Sequence, residues 1–326
     1  MPFDESRELY NKVQSAYRAR FLQLQKQLER DFGKIADEFD AKIQRLIFRY
    51  AKPDGTFDKK DIVSLNREID AIAGWFTKNN AQWINENIVG SVDLAIDSMD
   101  MATRAFVQSA IEEYQGVDRA LLVKAATDPT APFLLRSQFG TGLAEYVRDA
   151  VWRKRWVDGW TLSDRIWTTD KTLRQNLHDM IEQCVNEGRS AVEFSRAVEE
   201  YLKEPGPAWT TAIRPSVTGK GSIKYNALRL ARTETNNAYK VSHALGAKNS
   251  TIVKGVKWNL SGSHPKEDIC DEWATQDLYG LGPGVYPIDK VPPGHVQCLC
   301  YLTDELYQGQ ELIDRLKKEI QRAIRT

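Results

Sequence analysis

Residues 256–302 read VKWNLSGSHPKEDICDEWATQDLYGLGPGVYPIDKVPPGHVQCLCYL. Three of the chain's four cysteines, Cys270, Cys298 and Cys300, and two of its four histidines, His264 and His295, fall in this stretch, together with Asp268 and Asp271. Val256, Trp258 and Leu260 alternate as a strand does, and so do Cys298, Cys300 and Leu302. Gly284, Pro292 and Pro293 punctuate the interval. The pattern predicts a small, loop-rich α+β module that needs a cross-link.

Four elements of this region come in a fixed order. They are a helix with Arg232-Thr233-Glu234, a strand with Lys257-Trp258, a turn with Asp268-x-Cys270, and the run Pro292-Pro293-x-His295-x-x-Cys298-x-Cys300. Together they resemble the Mu F-like domain of phage minor head proteins. Val296 stands where that family usually has Pro, and Leu299 where it usually has Arg. The resemblance covers about 225–302 and reaches back, more weakly, through 150–202. It implies a low-copy structural minor capsid protein for head morphogenesis of a tailed bacteriophage, made in the host cytoplasm and held in the virion interior near the portal. The partner it implies is the phage portal protein, with the major capsid or scaffolding protein and the genomic DNA as further candidates.

Outward from the module, the chain is mostly helical in pattern. Tyr10, Val13, Tyr17, Phe21, Leu24, Leu28, Phe32, Ile35, Phe39, Ile43, Leu46 and Tyr50 repeat with steps of three, four and four. That eleven-residue period predicts one long helix over about 5–50, its apolar stripe packed on its own domain or on a neighbouring subunit. Lys52-Pro53-Asp54-Gly55 ends it. Helical spacing resumes from Asp61 to about Gln115 with an expected break at Gly90, and again up to Trp156 after a loop-rich passage. The expected organisation is a helical region 1–150, a helical middle 151–202, a linker or exposed loop 203–222, the Mu F-like module 223–303 and an amphipathic tail helix 304–326. In the middle region Ser163 is expected to cap a short helix before a second one over 170–187. Ser190 and Glu193 have capping-box spacing ahead of the next. The fold class is therefore mainly α with a small α+β C-terminal module.

Composition narrows the function classes. The 326 residues carry 45 basic and 45 acidic side chains, so a general nucleic-acid coating role gains no support. No run approaches the roughly 18 apolar residues of a membrane span, and Met1 to Arg18 does not read as a secretory signal, so no membrane partner is expected. In a cytosol, cysteines are thiols or metal ligands more often than disulfides. Arg153, Lys154 and Arg155, set among Trp152, Trp156 and Trp160, are the nucleic-acid candidates. The same four-residue spacing equally packs three rings on one helix face.

Zinc takes about four soft or borderline ligands in a tetrahedron. Cys270, His295, Cys298 and Cys300 are the candidate set for a structural zinc, with His264 and Asp268 as alternates or as groups orienting a ligand imidazole. In an extended strand Cys298 and Cys300 would sit about 6.6 Å apart on one face, wider than two ligands of one ion, so the strand has to bend. Buried reduced thiols beside a hydrogen-bonded histidine, or a disulfide from Cys270 to Cys298 or Cys300, stay open as alternatives.

A metal-dependent nuclease or peptidase is the enzymatic alternative, with Glu267 or Asp271 as base, or with Cys298 and His295 as a nucleophile pair. No glycine-rich oxyanion or phosphate loop accompanies them and no His-Glu-x-x-His helix occurs, so the expectation is a non-enzyme. An ADP-ribosyltransferase reading of Arg232 and Glu234 fails on spacing, because a helix turns them about 200° apart. Arg232 is instead expected to pair with the cysteine module, which Glu234, Asn236 and Trp258 also stabilise. Cys184 and His178, on an amphipathic helix, are expected to carry no chemistry.

Overall fold

A computed structural model describes residues 3–113, 143–153, 159–203, 222–262, 264 and 267–325. Among them the chain is mainly α-helical, with a three-stranded antiparallel sheet near its C-terminal end. Helix α1 (Asp4–Tyr50) follows the eleven-residue repeat, and Tyr10, Phe21, Leu28, Phe32, Phe39, Ile43 and Leu46 of that stripe are buried. It ends where expected: Gly55 adopts a φ of +81° and the Asp54 carboxylate accepts the Thr56 amide at 2.9 Å.

Helix α2 (Ile62–Glu113) runs without interruption through Gly90, contrary to the expected break there. A Cβ on Gly90 would meet Leu24 Cδ1 at 3.3 Å, so the glycine serves close approach of α1 rather than a stop. Helix α3 (Leu143–Arg153) is followed by α4 (Leu162–Asn186), a single helix in place of the two expected. Its cap is Thr161, not Ser163: Thr161 Oγ1 accepts the Asp164 amide and the Asp164 carboxylate accepts the Thr161 amide, a reciprocal pair that Ser163, two residues later, cannot make. Helix α5 (Ala191–Lys203) carries the expected Ser190–Glu193 box. Then come α6 (Ile223–Asn249), β1 (Val253–Asn259), the short α7 (Ile269–Thr275), β2 (Val285–Tyr286), β3 (Tyr301–Leu306) and α8 (Gly309–Arg325). The expected linker falls almost wholly on 204–221, outside the described residues.

The chain divides into two compact units, neither of which is one stretch of sequence. One comprises 25–87 and 152–232. Its core stacks Phe32 against Phe76 and Trp83, and Phe39 against Phe76 at 4.7 Å between ring centres. Asp170 holds Arg174 at 2.9 Å, and Arg174 also lies 3.4 Å from Asp70. Trp152 Nε1 donates to Asn85 Oδ1 at 3.1 Å, which makes that ring a packed one. The helix ends before Trp160, which is exposed, and Gly159 between them has a φ of +81°. Cys184 is buried, its thiol pushed up to about 12 by that burial, and His178 pairs with Asp70 at 3.0 Å.

The other unit comprises 1–24, 88–151 and 233–326. Its sheet has the order β2-β1-β3, with Val256 opposite Tyr286 and Trp258 opposite Leu302. The sheet meets α1 through a buried polar knot. Asp304 on β3 has no exposed side-chain surface; its Oδ2 accepts Tyr10 OH at 2.6 Å and Gln14 Nε2 at 2.5 Å, and its Oδ1 lies 3.0 Å from His243 Nε2 of α6. Around it, Phe106 meets Tyr10 edge-on, Phe21 packs on Tyr239, and Arg18 stacks over Tyr301 at 4.8 Å. Burying a carboxylate is tolerable only with such a full set of donors.

Asp304→Ala is expected to destabilise the protein by about 3–5 kcal/mol, because three buried partners lose their acceptor together. Tyr10→Phe, which removes one donor, should take away about 1.5–3 kcal/mol. Urea unfolding of the two variants checks this. Equal, sub-kilocalorie losses would remove Asp304 from its place in the core.

A candidate metal centre in the cysteine module

Cys270, Cys298 and Cys300 are brought together with Trp258, Tyr286 and Leu302 in one buried cluster, flanked by Trp273. Each arrives by a distinct piece of backbone chemistry. Asp268 is the N-cap of α7: its Oδ1 accepts the Cys270 amide at 2.7 Å, while Asp271 Oδ2 accepts the Asp268 amide at 2.8 Å. That box aims Cys270 inward with no exposed surface. Behind the helix, Gly284 takes a φ of +72° with its Cβ position 2.5 Å from the Ala274 carbonyl, a place only glycine fits.

The other two cysteines do not lie in a strand, as their alternation had suggested; β3 begins at Tyr301. Cys298 N donates to the His295 carbonyl at 3.2 Å, Gln297 adopts a φ of +60°, and Asn236 Nδ2 of α6 donates to the carbonyls of Cys298 at 2.5 Å and Cys300 at 3.5 Å. Turn and side chain take up the backbone groups a neighbouring strand would use. The chain therefore bends there, and both thiols enter the same core.

The Cys270 and Cys298 sulfurs are 3.6 Å apart, and Cys300 is buried in the same cluster with its sulfur 3.9 Å from His264 Nδ1. All four cysteines of the chain are free thiols. Lys240 of α6, only 4% exposed, donates from Nζ to Cys298 Sγ at 3.2 Å and lies 4.1 Å over the Trp258 ring. Hydrogen bonds from the Cys270 and Cys300 thiols, and then the Lys240 ammonium, hold Cys298 well below its ordinary range, and the contact with Cys298 pushes Cys270 up. Burial lowers Lys240, and Cys298 pulls it back. Negative charge is thus favoured on one sulfur, that of Cys298, while Cys270 and Cys300 are held as thiols.

Two imidazoles flank the thiols. His295 Nδ1 lies 2.9 Å from the Val296 carbonyl and its Nε2 lies 3.2 Å from Asp268 Oδ2. His264 Nε2 is 2.8 Å from Asp271 Oδ2, and its Nδ1 is 3.9 Å from Cys300 Sγ. The Asp271 bond raises His264, and the Asp268 amide followed by His264 lowers Asp271. The ligating atoms of Cys270, His295 and Cys298 all lie within 4.8 Å of one another. Those of His264, Asp268 and Asp271 do so too, but there both carboxylates already cap α7.

Of the residues expected to steady the module, Asn236 and Trp258 touch it directly, and Glu234 is buried on α6. Arg232 lies 3.4 Å from Glu29 of α1. Thr233 links α6 to the module, accepting the Gln297 amide at 3.0 Å. Arg153 is exposed at the end of α3, while Lys154 and Arg155 lie outside the described residues. Lys240 was missed from sequence, though it stands four residues beyond Asn236 and therefore on its face of α6. A lysine's usual preference for solvent hid that signal.

Gly294 tests how tightly this centre is closed. A Cβ there would sit 2.7 Å from Asn237 Oδ1 and 3.0 Å from Lys240 Nζ, whereas one on Gly262 would meet nothing within 4 Å. Gly294→Ala is expected to lower stability by about 1–3 kcal/mol and Gly262→Ala by less than about 0.5 kcal/mol, measured by thermal unfolding.

Comparison with protein-family models, curated proteins and solved structures returns no match for this chain.

Proposed function

We propose that the chain is a structural minor head protein of a tailed bacteriophage, working at the portal vertex during head assembly and retained in the virion interior. The observation that carries this reading is how its four ordered motif elements are used. Thr233 accepts from Gln297, Trp258 forms the floor under Lys240, Asp268 caps the helix bearing Cys270, and the turn after Pro293 brings Cys298 against Cys270. Each serves to hold the module together, which suits a part that must be rigid rather than reactive.

The enzymatic alternative, a metal-dependent nuclease or peptidase, has less to draw on. Asp271, one of its two candidate bases, accepts from His264 and from the Asp268 amide, and Glu267 is exposed. Among the described residues no helix is long and apolar enough to cross a membrane.

Co-expression with a tailed-phage portal protein, followed by sedimentation, tests the proposal. Stoichiometric co-sedimentation and recovery of the chain in assembled heads are expected. Failure to bind the portal together with absence from heads would overturn it, and hydrolase activity lost on chelation and in His295→Ala would put the enzymatic reading in its place.

A further inference from the structure

We infer that Cys270, His295, Cys298 and Cys300 bind one zinc ion in a closed tetrahedral site, with the Lys240 ammonium balancing its charge. The inference stands apart from the virion reading, because it rests on the geometry of the thiol cluster alone.

The sulfur spacing comes first. Zinc–sulfur bonds of about 2.3 Å meeting at tetrahedral angles place two sulfurs about 3.8 Å apart. The Cys270–Cys298 separation of 3.6 Å is close to that edge and far from the roughly 2.05 Å of a disulfide. The ligating atoms of Cys270, Cys298 and His295 all lie within 4.8 Å of one another, and Cys300, buried in the same cluster but outside that group, reaches the ion by turning its side chain.

His295 supplies the fourth corner. Its Nδ1 faces the Val296 carbonyl, which only accepts, so that nitrogen carries the proton and Nε2 presents a lone pair. Nε2 is buried without a hydrogen-bond partner, and Asp268 Oδ2, itself an acceptor, is 3.2 Å away. Both side chains are partly exposed, and two acceptors facing each other at this distance are relieved by a shared cation. The second ring nitrogen fixed on a backbone carbonyl is also the usual support of a metal-bound imidazole.

Lys240 counts the thiolates. An ammonium 96% removed from solvent needs an anion, and its contact is the Cys298 sulfur at 3.2 Å. Three thiolates and one divalent ion leave one negative charge, which a single lysine cancels. Two thiolates with neutral imidazoles would leave none and strand the lysine. The bent backbone at Gln297, tied by Asn236, brings the last two sulfurs to the same ion despite their spacing in sequence.

The full chain, expressed in zinc-supplemented medium, would be assayed by elemental analysis and by X-ray absorption at the zinc edge, which need no variant. One zinc per chain with three sulfur and one nitrogen neighbours is expected. Competition with a chelating dye should show Lys240→Met binding zinc about 10–100-fold more weakly, and Lys248→Met unchanged. Substoichiometric zinc, with either three free thiols or a Cys270–Cys298 disulfide by mass spectrometry, would overturn the site. A shell of two sulfurs would overturn the Cys300 assignment in favour of Asp268. Loss of portal binding in a protein that still holds zinc would count against the assembly role alone.

Discussion

The Asp304 carboxylate is the constraint on which one whole unit depends. It is a buried charge on β3, and the donors that make it tolerable come from other parts of the chain: Tyr10 and Gln14 from α1 and His243 from α6. A strand, the chain's first helix and the helix that carries Asn236 and Lys240 are therefore fixed by a single side chain. Because α6 also delivers Asn236 and Lys240 to the cysteine cluster, the position of the metal-ligand candidates is set partly from that knot. The module's rigidity is a consequence of polar satisfaction as much as of hydrophobic burial.

What the sequence made legible, and what it hid, follows from the range of the interactions. The eleven-residue stripe of α1, the Ser190–Glu193 box and the alternation of Val256 and Trp258 are local patterns, and all appear as expected. The misplacements have a different origin. Gly90 was read as a helix break because its steric purpose, contact with Leu24, lies more than sixty residues away. Cys298 and Cys300 alternate like strand residues, but a side chain from α6 takes their carbonyls. The Asp304 knot joins positions nearly three hundred residues apart and leaves no periodic trace.

The candidate centre was legible as a set of residue types and not as an electrostatic object. Rare cysteines and histidines close in sequence point to a cluster, and Cys270, His295 and Cys298 do converge. Its counter-charge is a lysine on a distant helix, and lysine is the residue least expected in a core. His264, which also looked like a ligand, turns out to be bonded at the cap of α7 to Asp271, a residue that looked like a base. Composition can nominate ligands; the buried charge balance that selects among them is visible only in three dimensions.

The segmented make-up of the two units bears on how the protein is made. The later segment of one unit ends at Arg232, whereas the other lacks its central acceptor until Asp304 has been synthesised. At roughly 5–20 residues per second, the intervening stretch of about seventy residues takes roughly 4–14 s to emerge. During that interval Tyr10, Gln14 and the apolar stripe of α1 up to Leu24 have no strand to receive them. Contacts this distant in sequence also form slowly, since loop closure precedes any gain. The nascent chain thus passes through a stage in which the first part of a long amphipathic helix has α2 to pack on but not yet the strand that supplies its buried acceptor.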